Sequence, residues 1–166
     1  MANVTFHQDP VTLIGSDIKV GASAPEFTVL DNDLNEKSLS DYEGKVKLIS
    51  VVPSLDTGVC SEQTKRFNDE ANEVANAHVL TLSMDLPFAQ KRWSSANNVQ
   101  SLDILSDHRN ADFGEKYGVL IEELRLLARA IFVVDSSNNV TYVEYVKEVS
   151  NHPDYEKAIE AAKKAE

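Results

Sequence analysis

The chain has 166 residues, 42% of them hydrophobic and 26% charged, with 16 basic against 27 acidic side chains and a formal net charge of −11. That length and balance predict one globular domain over residues 1–166 with room for a sizeable core, and exclude the composition of a disordered or membrane chain. Scattered Lys and Arg in an acidic chain argue against a nucleic-acid or anionic-membrane partner, and no apolar run approaches the roughly 20 residues of a membrane span.

The start, Met1 to His7, has neither a basic beginning nor a long apolar stretch, so no signal peptide is expected and the compartment is cytoplasmic by default. Two β-prone runs, Val11–Ile14 and Asp17–Val20, flank Gly15-Ser16 and predict an N-terminal β-hairpin with a tight primed turn. A short strand at Phe27–Leu30 precedes the polar turn Asp31-Asn32-Asp33. The run Lys45–Val52 becomes apolar on both faces toward its end, as a central strand covered on both sides does, and it stops at Pro53. After a polar loop, Phe67, Ala71 and Val74 recur at helical spacing, and His78–Met84 reads as the next strand. Strand, helix, strand is the mark of a parallel pair. Pro87 is placed to open a helix with Ala89, Trp93 and Ala96 on one side. A short helix over Ala111–Tyr117 ends at Gly118. The strands Ala130–Val134 and Val140–Val146 form an antiparallel hairpin across Asp135–Asn139. Pro153 opens a last helix with Tyr155, Ile159 and Ala162 on one face. This order predicts an α/β, thioredoxin-like fold: a central mixed sheet flanked by helices, with the hairpin at its N-terminal end.

The single cysteine, Cys60, rules out an intrachain disulfide and a Cys-x-x-Cys pair, and argues against a zinc cluster. A lone cysteine is most often a small buried apolar residue. Cys60, however, falls at the start of a helix, where first-turn amides and the helix dipole favour an anion and cysteines turn nucleophilic. Thr57, three residues earlier, can cap the helix or hydrogen-bond the sulfur and an incoming oxygen. Pro53 ends the strand and fixes the loop. No Gly-rich loop, His-x-x-x-His pair or carboxylate cluster points to a cofactor or a metal, so none is expected. His108 as a partner of Cys60 would make a cysteine hydrolase, which the fold order disfavours.

The pattern Pro-x-x-x-Thr-x-x-Cys at Pro53, Thr57 and Cys60 resembles the active-site signature of the peroxiredoxins. The fuller string Pro53–Cys60 with Glu62-Gln63-Thr64 and Arg66-Phe67-Asn68 resembles their bacterial thiol peroxidase branch, an atypical two-cysteine group. The likeness continues through Asp85–Trp93, Leu105–Arg109 and Glu123–Ala130, nearly the whole chain. It implies a thiol peroxidase reducing hydrogen peroxide and alkyl hydroperoxides, with thioredoxin as reductant and a homodimer as the expected assembly. Cys60 would be the peroxidatic cysteine, becoming sulfenic acid. Thr57 would hold the peroxide, and Arg129 would stabilise the thiolate and polarise the O–O bond. From its position alone Arg129 opens an apolar strand, where its charge needs a partner. An ordinary surface pairing with a carboxylate is the plain alternative, and Arg125 is a weaker candidate for the same task. Phe88 and Trp93 would line the substrate pocket. In most members of this branch a resolving cysteine follows the aromatic residue of the Arg92-Trp93 block; here that position is Ser94. Two explanations stay open: a replacement that traps the reduced state, or a chain resolved by an external thiol. The rival from another class is a non-catalytic thioredoxin-fold redox-sensing or interaction protein.

Overall fold

The structure is a computed structural model that describes residues 3–74 and 77–165; Met1 and Ala2, part of the signal-peptide reading, lie outside them. In chain order the elements are β1 (Val4–Phe6), β2 (Asp9–Val11), β3 (Leu13–Ile14), β4 (Thr28–Leu30), β5 (Glu36–Ser38), β6 (Val46–Val51), α1 (Gly58–Glu70), β7 (Ala77–Ser83), α2 (Pro87–Asn97), β8 (Asp103–Ser106), α3 (Asp112–Lys116), β9 (Leu120–Ile121), β10 (Ala130–Val134), β11 (Val140–Tyr145) and α4 (Tyr155–Lys164). Among the described residues no helix is long and apolar enough to cross a membrane.

Seven strands form the central mixed sheet in the order β11-β10-β6-β7-β8-β4-β5. β6, β7 and β8 run parallel, while β10 and β4 flank them antiparallel. This is the thioredoxin-like arrangement that the order of predicted elements implies. All positions of β6 are buried, because both faces are covered. Leu48 and Val52 face one layer with Phe67 of α1, Trp93 of α2, Ile131 and Val133 of β10, and Tyr155 and Ile159 of α4. Ile49 and Val51 face the other, with Phe27, Phe113, Tyr117 and Phe132. The period of two along β10 sets the direction of Arg129. This residue precedes Ala130, which pairs with Val51 at the end of β6. Alternation therefore turns Arg129 to the side of Ile131 and Val133, toward α1 and α4.

The N-terminal hairpin is present but lies earlier than Val11–Val20. It joins β1 to β2 through His7 and Gln8, whose φ values of 52° and 72° fit a primed turn. β3 instead pairs with β9. Gly15 has φ +93°, and a Cβ there would collide with the carbonyl of Glu115, so this glycine serves a close approach to α3 and not a hairpin turn. The buried face of α2 also differs from the expected Ala89, Trp93 and Ala96. It is formed by Pro87, Gln90 and Trp93, and Ala96 is exposed. Gln90 sets that rotation by donating to the Ser83 hydroxyl at 3.0 Å and the Leu105 carbonyl at 2.9 Å.

Asp107 anchors α3. Its carboxyl accepts from the amides of Phe113 at 3.0 Å and Gly114 at 2.8 Å, supplying the helix start with acceptors that Ala111 at the cap position lacks. Burial pushes this carboxyl up to about 6, against the pull of the two amides. The folded chain thus keeps the proton over a range, roughly pH 4 to 6, in which the unfolded chain loses it. The contribution of Asp107 to stability is greatest below that range and declines as pH rises through it. Urea denaturation of the wild type and of Asp107→Asn should show the wild type losing stability relative to the variant between about pH 4 and pH 6.5. Parallel curves would contradict this.

Candidate active site

Cys60 is the third residue of α1, and its side chain is fully buried. Helical spacing over two turns places Cys60, Gln63, Thr64 and Phe67 on the buried face. Thr64 fastens that turn by donating its hydroxyl to the Cys60 carbonyl at 2.9 Å.

Arg129 meets this face from the sheet. It is 2% exposed. Its Nη2 donates to the Cys60 sulfur at 3.2 Å, its Nη1 to Gln63 Oε1 at 2.8 Å and its Nε to the Val149 carbonyl at 2.7 Å. Gln63 is held in turn, its Nε2 donating to the hydroxyl of Ser50 on β6 at 2.7 Å. The planar fork of the guanidinium is thus fixed at three corners. Among the described residues none of its partners is a carboxylate. A buried cation without a counter-charge is costly, and the group beside it best able to carry a negative charge is the thiol of Cys60.

The loop before α1 is pinned from β7. Asp85 accepts from the Ser54 hydroxyl and the Leu55 amide, both at 2.8 Å, and from the Ser83 hydroxyl at 2.9 Å. Pro53 is buried beneath the loop, while Asp56, Thr57 and Gly58 are exposed. Thr57 occupies the N-cap position, but its hydroxyl donates to the Ser54 carbonyl at 3.0 Å and does not cap the helix. Its oxygen lone pairs stay available to an incoming donor.

The remaining candidates are spread out. Trp93 is buried in the same apolar cluster as Cys60, whereas Phe88 on the same helix is 67% exposed. Ser94 donates to the Val99 carbonyl at 2.7 Å and closes the end of α2. Its bonds are to its own helix terminus and not to Cys60. His108 is half-buried, with its amide on the Ser106 hydroxyl at 3.3 Å, and the sulfur's partner is Arg129. Arg125 is exposed at a turn with φ 54°.

Tyr155 at the start of α4 packs edge-on against Phe67 at 5.4 Å, with the Arg66 guanidinium 4.3 Å above its ring. Burial pushes its phenol up to about 12, although the charges of Arg129 and Arg66 act the other way. Gln63, Ser50, Asp85 and the Val149 carbonyl are parts of the site that the sequence did not single out. The spacing of Gln63, one turn beyond Cys60, was the available signal. A backbone carbonyl such as that of Val149 leaves no sequence mark.

The description "Redoxin" belongs to the family model that matches residues 19–159. The thiol peroxidase of Oceanobacillus iheyensis is 70% identical over 94% of this chain and 95% of its own length. That of Bacillus subtilis is 59% identical over 98% of each chain. Among solved structures, a peroxiredoxin-like protein from Aquifex aeolicus superposes with a TM-score of 0.93 at 41% identity, covering 99% of this chain and 98% of that one. A thiol peroxidase from Chromobacterium violaceum shares the fold at TM-score 0.89 and 21% identity, over 98% of this chain and 96% of its own.

Replacing Gln63 with Leu removes the acceptor from a buried charged donor while keeping most of the volume. Urea denaturation of Gln63→Leu should show a loss of about 2 kcal/mol. A loss below about 0.5 kcal/mol would mean that the bond to Arg129 holds nothing.

Proposed function

The chain belongs to the Redoxin family and, within it, to the thiol peroxidases; it is a peroxidase enzyme of the peroxiredoxin type, and we propose that Cys60 is its nucleophile. The observation that carries this reading is a buried guanidinium 3.2 Å from the only cysteine sulfur, with no carboxylate among its partners in the described residues. The thiolate of Cys60 attacks the terminal oxygen of a hydroperoxide. An S–O bond forms as the O–O bond breaks, and the departing oxygen leaves as water or an alcohol after taking a proton, so that Cys60 ends as sulfenic acid. Arg129 offsets the charge on the sulfur and then the charge that moves onto the leaving oxygen. Thr57 accepts the hydroperoxide O–H through its free lone pairs, and Pro53 fixes the loop beneath.

Hydrogen peroxide and alkyl hydroperoxides are the proposed substrates, with Trp93 in the same core cluster as Cys60 and exposed Phe88 contributing apolar surface for an alkyl group. Cys60 is fully buried, so a peroxide reaches the sulfur only when the loop residues ahead of it, Asp56 and Thr57, move aside. That cover is thin, since Asp56, Thr57 and Gly58 are exposed. One domain in the cytoplasm, without cofactor or metal, suffices for this chemistry. Assembly as a homodimer rests on the family likeness. The family likeness also gives thioredoxin as reductant of a disulfide to the resolving cysteine, and there this chain differs. A hydroxyl at Ser94 forms no disulfide, so the sulfenic acid of this chain is reduced by an external thiol.

Stopped-flow oxidation with hydrogen peroxide should consume one equivalent per reduced wild-type chain and none in Cys60→Ser. Thr57→Val should react on the order of 10²–10³ more slowly. A passive redox sensor would lose far less, and an undiminished rate in Thr57→Val would contradict a catalytic role for that hydroxyl. With thioredoxin alone the wild type should stop after one turnover, and Ser94→Cys should sustain turnover. Many rapid turnovers by the wild type with thioredoxin and no added thiol would overturn the account of resolution.

A further inference from the structure

Arg129 depends on one backbone carbonyl, that of Val149, and the segment carrying it belongs neither to the main sheet nor to a helix. What holds that segment is the N-terminal hairpin. The Thr5 amide donates to the Lys147 carbonyl at 2.8 Å, and the Val149 amide donates to the Thr5 carbonyl at 2.8 Å, so β1 runs beside residues 147–149 as a parallel partner. Val149 thus sits between two groups, its N–H on the hairpin and its C=O on the Nε of Arg129. Its side chain is fully buried with Val4, Leu13 and Ala128, the residue preceding Arg129.

One carboxylate fastens this arrangement. Glu148 accepts from the Gln8 amide at 2.7 Å, the His7 amide at 3.3 Å, the Thr5 hydroxyl at 2.9 Å, the Ser150 amide at 2.8 Å and the Ser150 hydroxyl. It satisfies both amides of the left-handed His7-Gln8 turn and ties them to the neighbours of Val149. These donors, Ser150 foremost, hold its carboxyl down at about 2, so it stays ionised at working pH. A half-buried glutamate with five donors converging from two segments is more than a solvated charge.

We propose that Glu148 is a positioning residue for the peroxidase reaction, fixing the N-terminal hairpin on residues 147–150 and thereby the Val149 carbonyl that aims Arg129 at the Cys60 sulfur. The proposal rests on Cys60 being the nucleophile and Arg129 its electrostatic partner. Glu148 touches no substrate. Its effect is geometric: a guanidinium displaced by a fraction of an ångström loses alignment with the sulfur and the leaving oxygen.

A double-mutant cycle on the oxidation rate of reduced Cys60 by hydrogen peroxide tests it. Glu148→Ala should slow oxidation roughly 10- to 100-fold. In an Arg129→Met background the same substitution should cost nothing further, because the group it positions is gone. A structural role alone would slow both backgrounds alike, and that outcome, or a full rate in Glu148→Ala, overturns the proposal. If Glu148→Ala does not fold, Glu148→Gln and Ser150→Ala remove fewer bonds and go through the same cycle with the same criteria. If the wild type reacts no faster than a free thiol, the reading of Cys60 itself fails. If the wild type is fast, Arg129→Met is slow and Glu148→Ala is unaffected, only the role of Glu148 fails.

Discussion

A guanidinium taken out of water needs an acceptor for each N–H it turns inward and a negative charge within reach, or the fold loses free energy to its desolvation. Arg129 meets that demand from three separate places: Gln63 on α1, the Val149 carbonyl, and the sulfur of Cys60. Two of those partners are neutral. On the proposed reading the charge requirement falls on the cysteine, and the strands and helices around it bring these groups together. β6 and β10 pair antiparallel so that Arg129 stands beside the end of β6, where the loop to α1 leaves the sheet. α1 then returns over the same face with Cys60 and Gln63 one turn apart.

Supports around the site divide into two. On one side Asp85, just beyond β7, pins Ser54 and Leu55, two of the three residues between Pro53 and Thr57. On the other, the N-terminal hairpin and Glu148 fix the segment that presents the Val149 carbonyl. The loop before Cys60 and the anchor of Arg129 are thus braced by different parts of the chain.

Much of this architecture is legible in the sequence because it is local. The apolar run of Lys45–Val52 and the break at Pro53 mark the central strand and the start of the loop. The spacing of Tyr155, Ile159 and Ala162 marks the last helix, and the signature that includes Cys60 points to the residue that Arg129 meets. What escapes depends on contacts between distant segments. The strand pairing of Leu13–Ile14 is set by Leu120–Ile121, more than a hundred residues away, and Gly15 reads as a turn glycine although it serves a close approach. The rotation of α2 follows the hydrogen bonds of Gln90, which hydrophobic spacing does not register. The Val149 carbonyl and the clasp of Glu148 on His7 and Gln8 have no signature, because a backbone acceptor can come from any residue type.

The most direct test of the central claim is the rate at which hydrogen peroxide oxidises Cys60 in Arg129→Met compared with the wild type. It can be followed by the fluorescence of Trp93, the chain's one tryptophan, which shares a core cluster with the sulfur. Met keeps most of the buried volume and removes the charge and the fork. The account predicts a rate lower by on the order of 10²–10³ in a variant that still folds. A folded Arg129→Met protein oxidised as fast as the wild type would contradict it.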